Sequence, residues 1–244
     1  MPPATPTVTY RHLSVPKHDG DEAVSEDAAA VRTDPSPLRA AVADGATESA
    51  FAARWATVLV RGMVDQAVTP EALAAALPDW QAEWRDAVAT RAHDAPWYVQ
   101  AKAADGAFAT LLALELSREG RWRAVTVGDG GLFQLRDDRV HVAWPTADPE
   151  AFTNRPALLP SRPARPVSEP EPTTGAWRPH DVFLLATDAV AAWLLRTDPL
   201  RARDWTADTF REAVLAARAE GTLRADDATV LILEIEETSD GEAA

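Results

Sequence analysis

The chain has 244 residues, no cysteine, and 38 acidic against 24 basic residues, for a formal charge of −14. An apolar share of 46% supplies a core and argues against wholesale disorder, while the negative field disfavours nucleic acid and favours cations. Disulfides, thiolate zinc sites and cysteine nucleophiles are excluded together, and no apolar run is long enough to cross a bilayer.

Residues 1–9 carry neither a basic region nor an apolar stretch, so no secretory signal is expected and the expected compartment is the cytoplasm. Residues 7–15 are rich in β-branched and apolar side chains and predict a first strand, ended by Pro16. After a polar segment, Asp27 introduces a second strand over 28–33. A third runs over 38–43 and stops at Asp44-Gly45. From Glu48 the period changes: Phe51, Trp55, Val58, Leu59 and Gly62 share one helical face. Thr69-Pro70 predicts a helix start, with a short helix to Leu77 and a separate one from Asp79 carrying Trp80, Trp84 and Val88.

Residues 107–116, 122–127, 132–136 and 140–144 predict an antiparallel meander. Residues 145–179 have proline about every four positions and read as a flap or insert. Residues 182–187 predict a strand ending at Asp188, and 189–195 and 210–219 predict helices. Asp226-Asp227 precedes a last strand over 229–235. Residues 7–236 are expected to form a single domain, with 1–6 and 238–244 as disordered ends.

The informative pattern is where the aspartates fall. Asp27 and Asp226 precede strands, Asp44 and Asp188 follow them, and Asp129 lies just past another. Taken singly, each is explained by turn chemistry. Together they permit a cluster, because neighbouring strands are only about 4.8 Å apart. Two carboxylates about 4 Å apart repel by about 4 kcal/mol at an effective dielectric near 20, so such a cluster needs a cation or a proton. Hard oxygen donors without histidine or cysteine favour Mg²⁺ or Mn²⁺ over zinc. Spacing alone leaves the turn and metal readings both open.

Five segments bear on that choice: Glu26-Asp27-Ala28, Val42-Ala43-Asp44-Gly45, Val127-Gly128-Asp129, Leu184-Leu185-Ala186-Thr187-Asp188 and Asp226-Asp227-Ala228-Thr229-Val230. In type and order they resemble the metal-dependent protein phosphatases of type 2C, particularly the compact bacterial branch. The resemblance implies an α+β fold, a sandwich of two mainly antiparallel sheets flanked by helices. It implies a dinuclear centre in which Asp44 bridges two divalent cations, Mn²⁺ or Mg²⁺, with the Gly45 carbonyl as a further ligand. Asp188 and Asp226 would hold one of them, Asp27 the acidic position of the first motif, and Asp129 a third, weaker site. Asp44, Asp188 and Asp226 would then be catalytic through water activated between the cations, with no phosphoenzyme. The implied partner is a phosphoserine or phosphothreonine protein, such as the target of a serine/threonine kinase.

Three departures stand out. Ala189 occupies a usual glycine position and would be strained if its φ were positive. Gly130 replaces a usual serine. No obvious counterpart stands for the phosphate-binding arginine common upstream of the first motif, which leaves Lys17 or His18 as electrostatic substitutes. Arg155, Arg162 and Arg165 of the flap either meet a phosphorylated substrate or are solvated. The chain lacks a Gly-x-Ser-x-Gly elbow and a Walker loop, and its five histidines lack metalloprotease spacing. Two other readings stay open: a catalytically weak relative that binds or regulates a phosphoprotein, and a small-molecule phosphoesterase. Nothing in the sequence selects an oligomeric state.

Overall fold

A computed structural model describes residues 7–18, 25–46, 51–93, 96–152 and 155–236. The expected disordered ends, the start of the first helix at Glu48, and Thr47 to Ser49 lie outside these residues. Among the described residues, twelve strands and five α-helices follow one another, with two short 3₁₀ turns. The strands are β1 (Thr7–Val15), β2 (Ala28–Arg32), β3 (Leu38–Ala43), β4 (Phe108–Ala109), β5 (Leu111–Leu116), β6 (Arg121–Val127), β7 (Gly131–Arg136), β8 (Arg139–Trp144), β9 (Leu159–Pro160), β10 (Glu171–Ala176), β11 (Val182–Ala186) and β12 (Ala228–Glu236). The helices are α1 (Ala52–Asp65), α2 (Pro70–His93), α3 (Trp97–Asp105), α4 (Asp188–Arg196) and α5 (Ala207–Ala219).

Two five-stranded antiparallel sheets face each other. One has the order β1-β12-β11-β7-β8 and the other β10-β6-β5-β3-β2; β4 and β9 form a small separate pair. Strand alternation sorts the side chains into three apolar layers. Leu112, Leu114, Phe183, Leu185, Leu231 and Leu233 fill the space between the sheets. Leu111, Ala113 and Val125 point outward under Trp55 and Leu59 of α1 and Trp80 and Trp84 of α2. Val182, Leu184, Val230 and Ile232 point the opposite way, under α4 and α5 with Trp193, Phe210 and Val214. The central strands are thus covered on both faces, which is why β11 and most of β5 and β12 read as apolar runs. The result is the helix–sheet–sheet–helix stack expected from the sequence.

The departures from expectation are local. The two helices foreseen around residues 70–88 are one helix, α2, with Pro78 inside it. Proline removes one backbone donor, but Leu73, Leu77, Trp80, Trp84 and Val88 form one buried stripe that carries the helix across the interruption. Thr69 starts it as foreseen, its Oγ1 accepting from the Ala72 N–H at 3.2 Å. The strand foreseen over 107–116 is divided at Thr110. The irregular stretch 145–179 contains β9 and β10, and β10 completes the second sheet along β6. Its exposed, proline-bearing sequence suits an edge, where missing donors face outward. Helix α3 was not foreseen. Helix α5 begins three residues early because Thr206 and Thr209 cap it reciprocally, threonine standing where a Glu or Gln is usual.

Candidate metal centre

Strand register brings the acidic motifs to one rim. Ala28 pairs with Ala43, so Asp27 and Asp44 leave the same edge of β2 and β3. Ala186 pairs with both Gly131 and Val230, which puts Asp188, the 128–130 turn and Asp226-Asp227 at the matching end of the other sheet. Val15 pairs with Ala228, so Lys17 extends toward Asp226, and its Nζ lies 3.8 Å from Asp226 Oδ1.

Asp44 is at the electrostatic centre. Burial comes first, then the charges of Asp27, Asp188, Asp226 and Asp129, and together they push its carboxyl up to about 10. Asp27 rises to about 8, mainly by burial; Asp227 and Asp188 add to this against the hydroxyls of Thr229 and Thr187. Asp129 rises to about 7 by burial and the charge of Asp188, with Arg224 opposing. Asp188 is raised by burial despite its Arg224 partner. Oδ1 of Asp27 and both carboxylate oxygens of Asp129 are buried with no hydrogen-bond partner.

Buried acceptors of this kind are costly unless matched. The set therefore fits divalent cations: hard oxygen donors, converging negative charge and orphaned lone pairs. Among the described residues no three acidic or histidine side chains close on one point. Arg224 instead stands between Asp188 and Asp226, bonded to Oδ2 of the first and 3.1 Å from Oδ2 of the second.

The surrounding backbone is fixed by residues that pattern reading passed over. Asp227 was visible only as part of a motif. Its Oδ1 accepts from the Lys17 N–H and its Oδ2 from the Glu26 N–H, both at 2.6 Å. One side chain thus ties down both flanks of the β1–β2 connection and holds Asp27 beside Asp44. Arg218 of α5 donates to the carbonyls of Val15, Pro16 and Asp226 at 3.1, 2.9 and 2.6 Å. Thr187 Oγ1 donates to Asp27 Oδ2 at 3.0 Å, and the Thr187 N–H donates to the Thr229 carbonyl at 3.0 Å, linking the two sheets' contributions. Thr110 Oγ1 accepts from the Asp44 N–H at 3.1 Å.

Gly45 is dictated by space, because a Cβ there would lie 2.9 Å from the Glu26 carbonyl oxygen and from the Ala52 backbone. Gly128 has φ of 108°, and a Cβ would meet Thr110 at 2.6 Å. A side chain at Gly130 would press on Leu112 at 3.1 Å, so the missing serine matches the local packing. The strain foreseen at Ala189 does not arise. It is the second residue of α4, outside the positive-φ set, and its N–H donates to Asp188 Oδ1 at 2.5 Å. Asp188 itself opens α4, where the helix dipole favours a carboxylate.

Of the substitutes for the missing arginine, Lys17 reaches the rim through Asp226, while His18 is exposed and touches none of these carboxylates among the described residues. Arg224 was not anticipated. Its one sequence signal is a basic residue two positions before a paired aspartate.

A helix-flanked double sandwich with an acid-lined rim is the frame of a metal-dependent phosphoester hydrolase. The Protein phosphatase 2C family profile matches residues 16–230, and the chain belongs to that family of protein phosphatases. Comparison with curated protein sequences yields no match. Solved structures with the same fold include the catalytic domain of the serine/threonine protein phosphatase PstP in complex with two manganese ions. It is 20% identical, with a TM-score of 0.60, over 96% of this chain and 100% of that one. The phosphatase Stp1 from Staphylococcus aureus is 14% identical, with a TM-score of 0.62 over 95% and 96%. The photosystem II phosphatase PBCP is 17% identical, with a TM-score of 0.57 over 94% and 99%.

Proposed function

We propose that the chain is a metal-dependent phosphoprotein phosphatase acting on phosphoserine and phosphothreonine, with two divalent cations, Mn²⁺ or Mg²⁺, at the acidic rim. Asp44 would bridge them with help from the Gly45 carbonyl. Asp188 and Asp226 would hold one, Asp27 would support the pair, and Asp129 would offer a third, weaker position. When bound, the cations would neutralise the phosphoryl oxygens and activate an attacking water. The protein's part is to gather five aspartates at one rim, where bound cations would favour their ionised forms. Asp227 and Arg218 fix the backbone, Thr187 orients Asp27, and burial keeps bulk water from screening the charges. Lys17 adds a positive charge at the edge where a phosphate dianion would enter.

Residues 7–236 would act as one domain, with 145–179 bordering the site as a flap. Ser161 Oγ accepts from the Ala107 N–H at 2.8 Å, and β9 pairs with β4 beside Gly45. No helix among the described residues is long and apolar enough to cross a membrane, and we place the enzyme in the cytoplasm on composition. The observation that carries the reading is Asp44, half-buried at the end of β3 and acted on by the charges of four other aspartates. Its test is Mn²⁺-dependent hydrolysis of p-nitrophenyl phosphate and a phosphothreonine peptide. Turnover of both supports the reading. Cation binding without turnover would instead support a phosphoprotein-binding role, and turnover of a metabolite alone a small-molecule phosphoesterase.

A further inference from the structure

We propose that Arg224 is an internal competitor for the metal centre, a tethered cation that any divalent ion must displace from Asp188 and Asp226. The inference rests on the metal-site reading above and concerns this chain's own control over that site.

Arg224 Nη2 engages the Oδ2 atoms of both carboxylates. An ion that uses those oxygens and the guanidinium cannot occupy the same place. The side chain is built to leave: 41% of it is exposed, against 8% for the Asp188 side chain, so it enters the cluster from the solvent side. The carboxylates are built to stay. Asp188 is fixed by α4 and the Ala189 N–H, and the Asp226 backbone by Arg218. The next residue, Asp227, is clamped to Lys17 and Glu26. Displacement therefore asks the Arg224 side chain to rotate and leaves the carboxylates in place.

The charges explain why the guanidinium sits there and why it yields. Burial opposes its charge, but Asp188, Asp226 and Asp129 outweigh that and hold Arg224 above its ordinary value. One positive charge, with Lys17 sharing the other oxygen of Asp226, does not neutralise the aspartates around Asp44. Asp27 Oδ1 and both oxygens of Asp129 have no hydrogen-bond partner. A divalent ion brings more charge to the same place, and so wins once its concentration is sufficient. The consequence is a raised threshold: the site fills at higher cation concentration than its carboxylates alone would require.

The test is Mn²⁺ titration of the full chain by calorimetry, wild type against Arg224→Gln, which keeps polarity and much of the length but removes the charge. The expected result is Mn²⁺ binding about tenfold tighter in the variant, equivalent to about 1.4 kcal/mol, with a lower melting temperature before the ion is added. Arg224→Lys, which keeps the charge without the fork, should fall between the two. Equal or weaker Mn²⁺ binding by Arg224→Gln overturns the competitor while leaving the metal site standing. Absence of Mn²⁺ binding by both proteins overturns the metal reading, and the competitor with it. If Arg224→Gln does not fold, the wild type decides through the Arg224 side-chain ¹⁵N resonances. Their displacement on saturation with Mg²⁺ supports the proposal, and unchanged resonances on a Mg²⁺-loaded protein overturn it.

Discussion

Replacing Asp227 with alanine tests how the rim is held together. Its carboxylate accepts two backbone N–H bonds at 2.6 Å, from Lys17 and Glu26. Hydrogen bonds to a charged group are each worth about 1.5–3 kcal/mol net, so the pair is worth about 3–6 kcal/mol. Both donors are part-buried and gain some water in the variant, which puts the expected loss at the lower end, about 3 kcal/mol. For a domain of this size that lowers the melting temperature by about 6–12 °C. Asp227→Asn keeps one acceptor oxygen and should lose about half as much. Denaturant melts of the three proteins, with Mn²⁺ titrations beside them, give the comparison. Mn²⁺ binding should weaken in parallel, because the clamp positions Asp27. A loss below about 1 kcal/mol in Asp227→Ala, where a charged pair should cost several times that, would refute the clamp.

Three further outcomes follow from the same geometry. Asp27, Asp44 and Asp129 have carboxyls raised to about 8, 10 and 7, so the folded chain holds protons that the unfolded chain has released. Their stabilising contribution is full below about pH 4 and is lost as pH rises through those values. Before metal is added, melting temperature should therefore fall between pH 5 and pH 8. Calorimetry in buffers of different ionisation enthalpy should show protons released as Mn²⁺ binds; no release at pH 6.5 would contradict the raised values. Gly128→Ala places a Cβ 2.6 Å from Thr110 at φ of 108°, and should destabilise by about 1–3 kcal/mol in denaturant melts.

The fold was legible because the two sheets are buried on both faces. Strands β3, β11 and β12 are mostly apolar, and the change to aspartate at Asp44, Asp188 and Asp226-Asp227 marks where each leaves the core. That same contrast made Asp27, Asp44, Asp129, Asp188 and Asp226 visible as a set at strand ends. Register then puts them on one rim, as pairings such as Ala28 with Ala43 and Ala186 with Val230 require. Less legible were features whose cause lies in tertiary contact. Pro78 reads as a helix break until the apolar stripe on either side of it, Leu73 and Leu77 before and Trp80 and Trp84 after, packs into the same core as α1. The strand β10 is weak in isolation and exists through its ladder with β6. Arg224, Arg218 and Asp227 have no periodicity to betray them, since each acts on residues far away in sequence or on a loop. The resemblance points to Lys17 and His18 as the phosphate cation, and so away from Arg224 beside Asp226.

The most direct measurement is Mn²⁺ binding and phosphothreonine-peptide hydrolysis on wild type and Asp44→Asn side by side. Asp44 has four aspartates around it and lies at the centre of the negative charge. The variant should remain folded, melt no lower than wild type at pH 8 before metal is added, and lose both tight Mn²⁺ binding and nearly all turnover. A folded Asp44→Asn protein that binds Mn²⁺ as wild type does and cleaves the peptide at a near-normal rate would contradict the account.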